Sequence, residues 1–285
     1  MLGRQISVCL KKAGVPFYET DREVDIVDPD VLQRFAADKG IRWIVNCAAY
    51  TAVDRAEAEK EAVRRINVLG PGNLALTAER ISARLIHFST DYVFDGNSEI
   101  PYRETDPANP QSVYGAAKLS GEELLCRNTN RFFIFRISWL YGVYGGSFVK
   151  TIVRLLREKT ELRVVSDQVG SPTYAGSLAE NITDLVRGGS EQYGLYHYSD
   201  SGAVSRFDFA CRIQECALQF GFIGGRKRIS PVPAAEFPAA ARRPGFSLLD
   251  TRKVSTVLKF KVCGWTENLD RFFREWKESG QDENP

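Results

Sequence analysis

The sequence lacks the pairings that metal and disulfide chemistry require. Its six cysteines, Cys9, Cys47, Cys126, Cys211, Cys216 and Cys263, contain no C-x-x-C and have no histidine at ligand spacing. Neither a zinc site nor a disulfide framework is expected, and no bound metal is implied. The histidines number two, and His87 and His197 each lie in a strand-like run without a carboxylate or thiol partner nearby. Both read as core or edge histidines. Charge of one sign is missing too: 38 Lys and Arg against 36 Asp and Glu leave a net +2. The short basic run at 225–228 reads as a solvated loop, so a nucleic-acid partner is not expected. No stretch approaches the roughly 20 apolar residues of a membrane span, and the charged first dozen residues do not resemble a signal peptide. A reducing, cytoplasmic location is expected, with no membrane partner. Internal repeats and low-complexity tracts are also lacking.

What is present is core-forming material. In 285 residues, 44% are hydrophobic, enough for one large or two modest domains. The apolar runs "VPFYETD", "IRWIVNCAA", "ARLIHFSTDYVF" and "RFFIFRISWLYG" alternate with the helical patterns "DPDVLQRFAADKG", "VDRAEAEKEAVRRINVLGPGNLALTAERI" and "SVYGAAKLSGEELLCRN". That order predicts an α/β fold with a parallel sheet flanked by helices. Ligands of such sheets sit beyond the carboxyl ends of the strands, here Asn46-Cys47-Ala48-Ala49, Ser89-Thr90-Asp91 and Ser138-Trp139. After about Gly145 the texture changes to loops such as "SDQVGSPTYAG" and "ISPVPAAEFPAAARRPG", with helical stretches near 147–158, 177–187 and 205–220. Residues 1–145 are therefore expected to form a dinucleotide-binding domain and 146–285 mainly a smaller substrate-binding lobe. The two interleave, because "GLYHYSD" reads as another strand. The acidic run "DRAEAEKEAVRR" reads as a solvated helix face.

Tyr114 and Lys118 stand four residues apart, on one face of a helix about one turn from each other. Alone, such a pair is mostly ordinary helix surface. Here it follows "FSTDYVF" by a loop whose Pro110 leads into the helix, a more specific combination. Hydride reduction of a carbonyl builds negative charge on oxygen, and a phenol can deliver the proton. Its free pKa near ~10 is high for such work, and a nearby ammonium favours the phenolate. Lowering it by about 3 pH units corresponds to roughly 4 kcal/mol. Thr90 would hold the substrate oxygen in line.

Six motifs, "FSTDYVFDG", "NPQSVYGAAKLSGE", "NCAAYTAVDRAE", "RISWLYG", "DQVGSPT" and "ARRPGFSLLD", resemble in order those of the dTDP-4-dehydrorhamnose reductases, a branch of the extended short-chain dehydrogenase/reductase superfamily. The resemblance runs over essentially the whole chain. It implies a Rossmann-type, doubly wound sheet and NAD(P)H-dependent reduction of the 4-keto group of dTDP-4-dehydro-L-rhamnose to dTDP-L-rhamnose. It makes Tyr114 the proton donor, Lys118 its activator and a ribose ligand, and Thr90 the positioning hydroxyl. Asp91 and Tyr92 would lie in the same pocket. Ala48 and Ala49 match small residues over which the cofactor passes, with Tyr50 and Thr51 behind them; close strand packing accounts for the alanines equally well. Trp139 matches a pocket aromatic that stacks on a sugar or base. The loop from Gln168 to Thr173 and Arg243 look like the far wall of the nucleotide-sugar pocket, where a guanidinium suits a diphosphate.

The family fingerprint is a strand, then G-x-x-G-x-x-G, then a helix. "MLGRQ" matches only its last glycine, Gly3, and the helix beginning at Arg4. The first strand and most of the glycine-rich loop are thus expected to be absent from this chain, and upstream residues are expected in the natural protein. The cost of a gap favours that reading: an unpaired buried backbone group costs roughly 1–3 kcal/mol against a net stability of about 5–15 kcal/mol. Asp21 ends the presumed second strand, where an acid binds the adenosine ribose, while Arg22 beside it suits a 2′-phosphate, so NADPH and NADH both stay open. Asp25-Ile26 resembles the segment near the adenine ring. The methionine adenosyltransferase beta subunit, a cofactor-binding regulatory protein, shares the tyrosine-lysine region and is the alternative reading; a reductase of another nucleotide-4-ketosugar is a third. Trp139 and "DQVGSPT" favour the reductase. The resemblance allows a homodimer and fixes neither the oligomeric state nor a divalent ion.

Overall fold

Side chains alternate across the central strands in a way that only a sheet covered on both faces allows. Leu85 and Ile134 belong to one apolar cluster, with Leu32, Leu74, Ala75, Ala78 and Leu125. Their neighbours Ile86, Phe88, Phe133 and Phe135 belong to another, with Leu2, Ile6, Leu178 and Ile182. Period-2 alternation between two buried layers is the signature of a doubly wound sheet.

The structure, a computed structural model, describes residues 1–280. The chain runs through α1 (Leu2–Lys12) and α2 (Pro29–Ala36) to β1 (Trp43–Asn46). It continues through α3 (Val53–Ala56), α4 (Lys60–Arg64), a π-helical turn at Arg65–Leu69 and α5 (Gly70–Arg80). Next come β2 (Arg84–Thr90), a 3-10 turn at Asp91–Val93, α6 (Val113–Asn128), β3 (Phe132–Ile137) and β4 (Leu140–Tyr141). Then follow α7 (Phe148–Glu158), β5 (Glu161–Val165), β6 (Val169–Gly170), β7 (Thr173–Tyr174), α8 (Ala175–Gly188) and β8 (Gly194–Tyr198). The chain closes with β9 (Val204–Ser205), α9 (Arg206–Gln219), β10 (Arg228–Val232), α10 (Arg252–Val257) and α11 (Trp265–Glu278).

Among the described residues the main sheet has four strands, ordered β1-β2-β3-β8 and parallel throughout. α1 and α8 cover one face; α2, α5 and α6 cover the other. One sequence expectation fails. Residues 15–21, "VPFYETD", form no strand, and β1 lies at the sheet edge. A strand exists through the neighbour that takes its backbone hydrogen bonds, and this segment has none, so Tyr18 lies 61% exposed on the surface.

A third apolar cluster joins α7, α9 and α11 through Ile152, Leu156, Phe209, Ile213, Phe272, Phe273 and Trp276. It packs against the pair β5 and β10 through Leu162 and Val164. No helix among the described residues is long and apolar enough to cross a membrane.

Candidate active site

Thr90 is the last residue of β2 and caps the 3-10 turn after it. Its hydroxyl accepts from Tyr92 N–H at 3.2 Å and donates to Asp91 Oδ1 at 3.1 Å. Asp91 is 2% exposed, and its Oδ2 has no hydrogen-bond partner among the described residues. Burial raises this carboxyl to about 6, although hydrogen bonds from Ser247 and Thr90 and the charge of Arg206 pull the other way.

Tyr114 enters on the first turn of α6. That helix begins where it does because Ser112 Oγ accepts from Gly115 N–H at 3.1 Å and Glu57 Oε1 accepts from Val113 N–H at 2.9 Å. Gly115 is required by proximity: a Cβ there would run into the carbonyl oxygen of Tyr92. The close approach sets the Tyr114 and Tyr92 rings edge to face at 5.7 Å and brings the phenol within hydrogen-bonding reach of Thr90.

Below Tyr114 the sheet-facing side of α6 is polar. Lys118, 2% exposed, donates to the Phe88 carbonyl at 2.6 Å and lies 3.2 Å from His87 Nε2. His87 Nδ1 in turn lies 3.0 Å from the Asn46 side-chain nitrogen. Burial first, and the Lys118 charge second, hold His87 neutral. Burial lowers Lys118 to about 8, partly opposed by Glu122. One turn on, Glu122 accepts from Ser89 and from Arg136, whose Nη2 lies 2.7 Å from Oε2, both side chains almost fully buried. The expected lowering of Tyr114 by lysine is not what the geometry gives. Burial pushes the phenol up, the charges of Asp91 and Tyr92 add to it, and the Thr90 hydrogen bond opposes it. The lysine is turned toward β2.

On the opposite wall, Trp139 adopts φ +46°, a strained conformation for a bulky side chain and one that accumulates at functional sites. Its ring does not lie bare. The Arg206 guanidinium sits 3.6 Å above the centroid, so sugar stacking on that face is closed. Gln168 adjoins this pair, its carbonyl accepting from Arg206 N–H at 3.0 Å. Arg243 donates to Asp54 Oδ2 at 2.6 Å and reaches the Tyr92 hydroxyl.

The residues expected to hold a cofactor gather less completely. Gly3 packs α1 against β1, its missing side chain leaving room for Cys47. The helix starts there with no side-chain cap and no acidic residue in its first turn. Ala48 and Ala49, just beyond the carboxyl end of β1, keep contact with solvent. An uncapped, positive helix end beside small, accessible residues suits a phosphate-bearing dinucleotide. Arg4 lies over the Tyr144 ring at 5.0 Å. Tyr50 is tied elsewhere, donating to Glu59 Oε2 at 2.8 Å. Asp25 and Ile26 are held at α5, where Asn73 donates to the Ile26 carbonyl at 3.1 Å, and Asp21 stands exposed in a turn.

With this geometry, the model of the RmlD substrate binding domain matches residues 1–278. The chain belongs to that family. Two relatives of this RmlD-family chain are the dTDP-4-dehydrorhamnose reductase of Escherichia coli K12 and the spore coat polysaccharide biosynthesis protein SpsK of Bacillus subtilis. The first is 39% identical over 81% of this chain and 79% of the relative. The second is 38% identical over 96% of this chain and 94% of the relative. Among solved structures, Bacillus anthracis dTDP-4-dehydrorhamnose reductase in complex with NADP superposes with a TM-score of 0.90 at 37% identity, covering 96% of this chain and 95% of that one.

Several groups of the RmlD-family site are invisible in the sequence pattern. Asp54, Glu57 and Glu59 belong to the run read as a solvated face, yet they hold Arg243, the start of α6 and Tyr50 respectively. Arg206 lies in none of the quoted motifs, and Asn46 and Ser247, though inside two of them, draw no role from the sequence pattern. His87 lay in a recognised strand, but only the fold reveals that its ring meets Lys118.

Proposed function

We propose that the protein reduces the 4-keto group of dTDP-4-dehydro-L-rhamnose to dTDP-L-rhamnose at the expense of NADPH or NADH. The observation that carries this reading is the convergence of Tyr114 and Thr90 at the carboxyl mouth of β2, in a chain of the RmlD family. The cofactor, when bound, supplies the hydride. Gly3, Arg4 and the amino end of α1 would hold its phosphates, with Ala48 and Ala49 as the floor and Asp21, Asp25 and Ile26 on the adenosine side. Lys118 would turn from the Phe88 carbonyl to a ribose hydroxyl.

Tyr114 donates its phenolic proton to the C4 oxygen. Burial keeps that phenol protonated until negative charge grows on the oxygen, which is the state a reduction needs. Thr90, fixed between Asp91 and the Tyr92 amide, orients the same oxygen. Asp91, Tyr92, Trp139, Gln168 and Arg243 line the sugar and diphosphate side, and the described residues from 146 onward form mainly the substrate lobe, interleaved with the main sheet through α8 and β8. A homodimer in the cytoplasm is part of the reading, and all six cysteines being free thiols supports the compartment.

The test is the loss of reduced-nicotinamide absorbance on adding a dTDP-4-ketosugar to the purified protein. Oxidation only with the ketosugar supports the assignment. No oxidation, together with co-purification of a methionine adenosyltransferase, would replace it with the regulatory reading.

A further inference from the structure

Arg206 opens α9 and is tied to the substrate wall by its backbone, through the carbonyl of Gln168 and the strand pair β6 and β9. Its guanidinium lies flat on Trp139 at 3.6 Å, with the Phe148 ring at 4.9 Å. Stacking of this kind fixes the plane of the group and leaves its N–H edges free. Those edges are uncommitted: among the described residues no carboxylate lies within ion-pairing distance, and the side chain donates no hydrogen bond. None of its nitrogens is sealed from solvent. A pre-oriented guanidinium with no carboxylate partner is suited to pair with an anion.

Its electrostatic neighbours say where the anion would sit. Arg206 acts on Asp91 and on the Tyr92 phenol, and Arg243 acts on the same phenol. The two guanidiniums also oppose each other. Arg243 pairs with Asp54, whereas Arg206 feels the charge of Asp91 without forming an ion pair. Two guanidiniums therefore flank Tyr92 next to Tyr114, and Arg243 is the one that is ion-paired.

We propose that Arg206, stacked on Trp139, is a binding residue for the diphosphate of the nucleotide sugar, clamping it together with Arg243. The proposal rests on the reductase reading for the identity of the ligand. It also redefines Trp139, whose ring serves as the platform of an arginine. The recognised chemistry is a nucleoside diphosphate of any base, since a guanidinium fork pairs with phosphate oxygens.

The experiment is calorimetric titration of the full chain with dTDP, UDP and NADPH for wild type, Arg206→Gln and Arg206→Lys. Glutamine keeps a flat group for Trp139 and removes the charge; lysine keeps charge and loses the fork. Charge-assisted hydrogen bonds of this class set an expected loss of about 10- to 100-fold in dTDP affinity for R206Q. R206K should lose less, and NADPH affinity should stay within roughly 2-fold in both. Unchanged dTDP affinity in R206Q overturns the proposal. So does an equal loss for NADPH, which marks a packing role; if R206Q fails to fold, R206K decides, since wild-type affinity in it removes the fork. A wild type that binds UDP and not dTDP, with R206Q losing UDP affinity, sinks the dTDP-sugar reading and supports the clamp. One that binds NADPH and no nucleoside diphosphate sinks both.

Discussion

Lys118 Nζ sits 3.2 Å from His87 Nε2 and donates to the Phe88 carbonyl at 2.6 Å, so the buried ammonium is anchored to β2. Its pKa is lowered to about 8 in the folded chain. A depressed lysine penalises the fold wherever it is charged, fully below about pH 8, and the penalty is released as pH rises toward the unfolded value of about 10.4. Lys118→Met should therefore raise unfolding free energy at pH 7 by up to about 3 kcal/mol, less the lost hydrogen bonds, while cutting turnover at least ~100-fold. Urea unfolding at pH 7 and pH 10, with the gain shrinking at the higher pH, checks the first part.

Tyr114→Phe removes the proton donor and leaves the ring against Tyr92. Turnover should fall by about 10²–10⁴-fold with coenzyme affinity within roughly 2-fold. Because burial pushes the phenol upward, wild-type kcat should show no loss attributable to Tyr114 ionisation between about pH 6 and 9. A phenol-dependent fall in that window, absent in the phenylalanine variant's residual rate, would refute the protonated-donor assignment.

Asp91 titrates at about 6 in the folded protein against an ordinary 3.8. A raised carboxyl stabilises fully below the unfolded pKa and loses that contribution as pH rises through the folded one. Asp91→Asn should thus stabilise at pH 7 by at most about 3 kcal/mol, with the difference vanishing near pH 4. Denaturation midpoints of the pair across that range give the measurement.

Glu122 and Arg136 form a buried ion pair at 2.7 Å between α6 and β3. Removing one partner strands the other, so Glu122→Gln or Arg136→Met should each cost about 3–5 kcal/mol. The double variant should cost markedly less than the sum, since neither charge is left alone. Additive losses would show that the two side chains do not act as a pair.

The central strands and α6 were legible because apolar runs, Pro110 and the tyrosine-lysine spacing are local signals. Thr90 was found through its place at a strand end. Residues 15–21 were misread as a strand because β propensity says nothing of whether a neighbour exists. Arg206 escaped because a lone arginine at a helix start looks like any surface cation. Its meaning depends on Trp139, 67 positions earlier in the chain. The roles of Asp54 and Glu57 were hidden for the same reason: their partners lie in other segments.

A helix seated on oil can drift by a fraction of a turn at little cost. α6 is instead seated on Phe88, Ser89 and Arg136 through Lys118 and Glu122, contacts that fail beyond a few tenths of an ångström. The polar footing weakens the fold, as the lysine pKa attests, yet it leaves the helix a single register. The aim of the phenol is therefore set from the floor of the sheet and is insensitive to how the loops above it breathe.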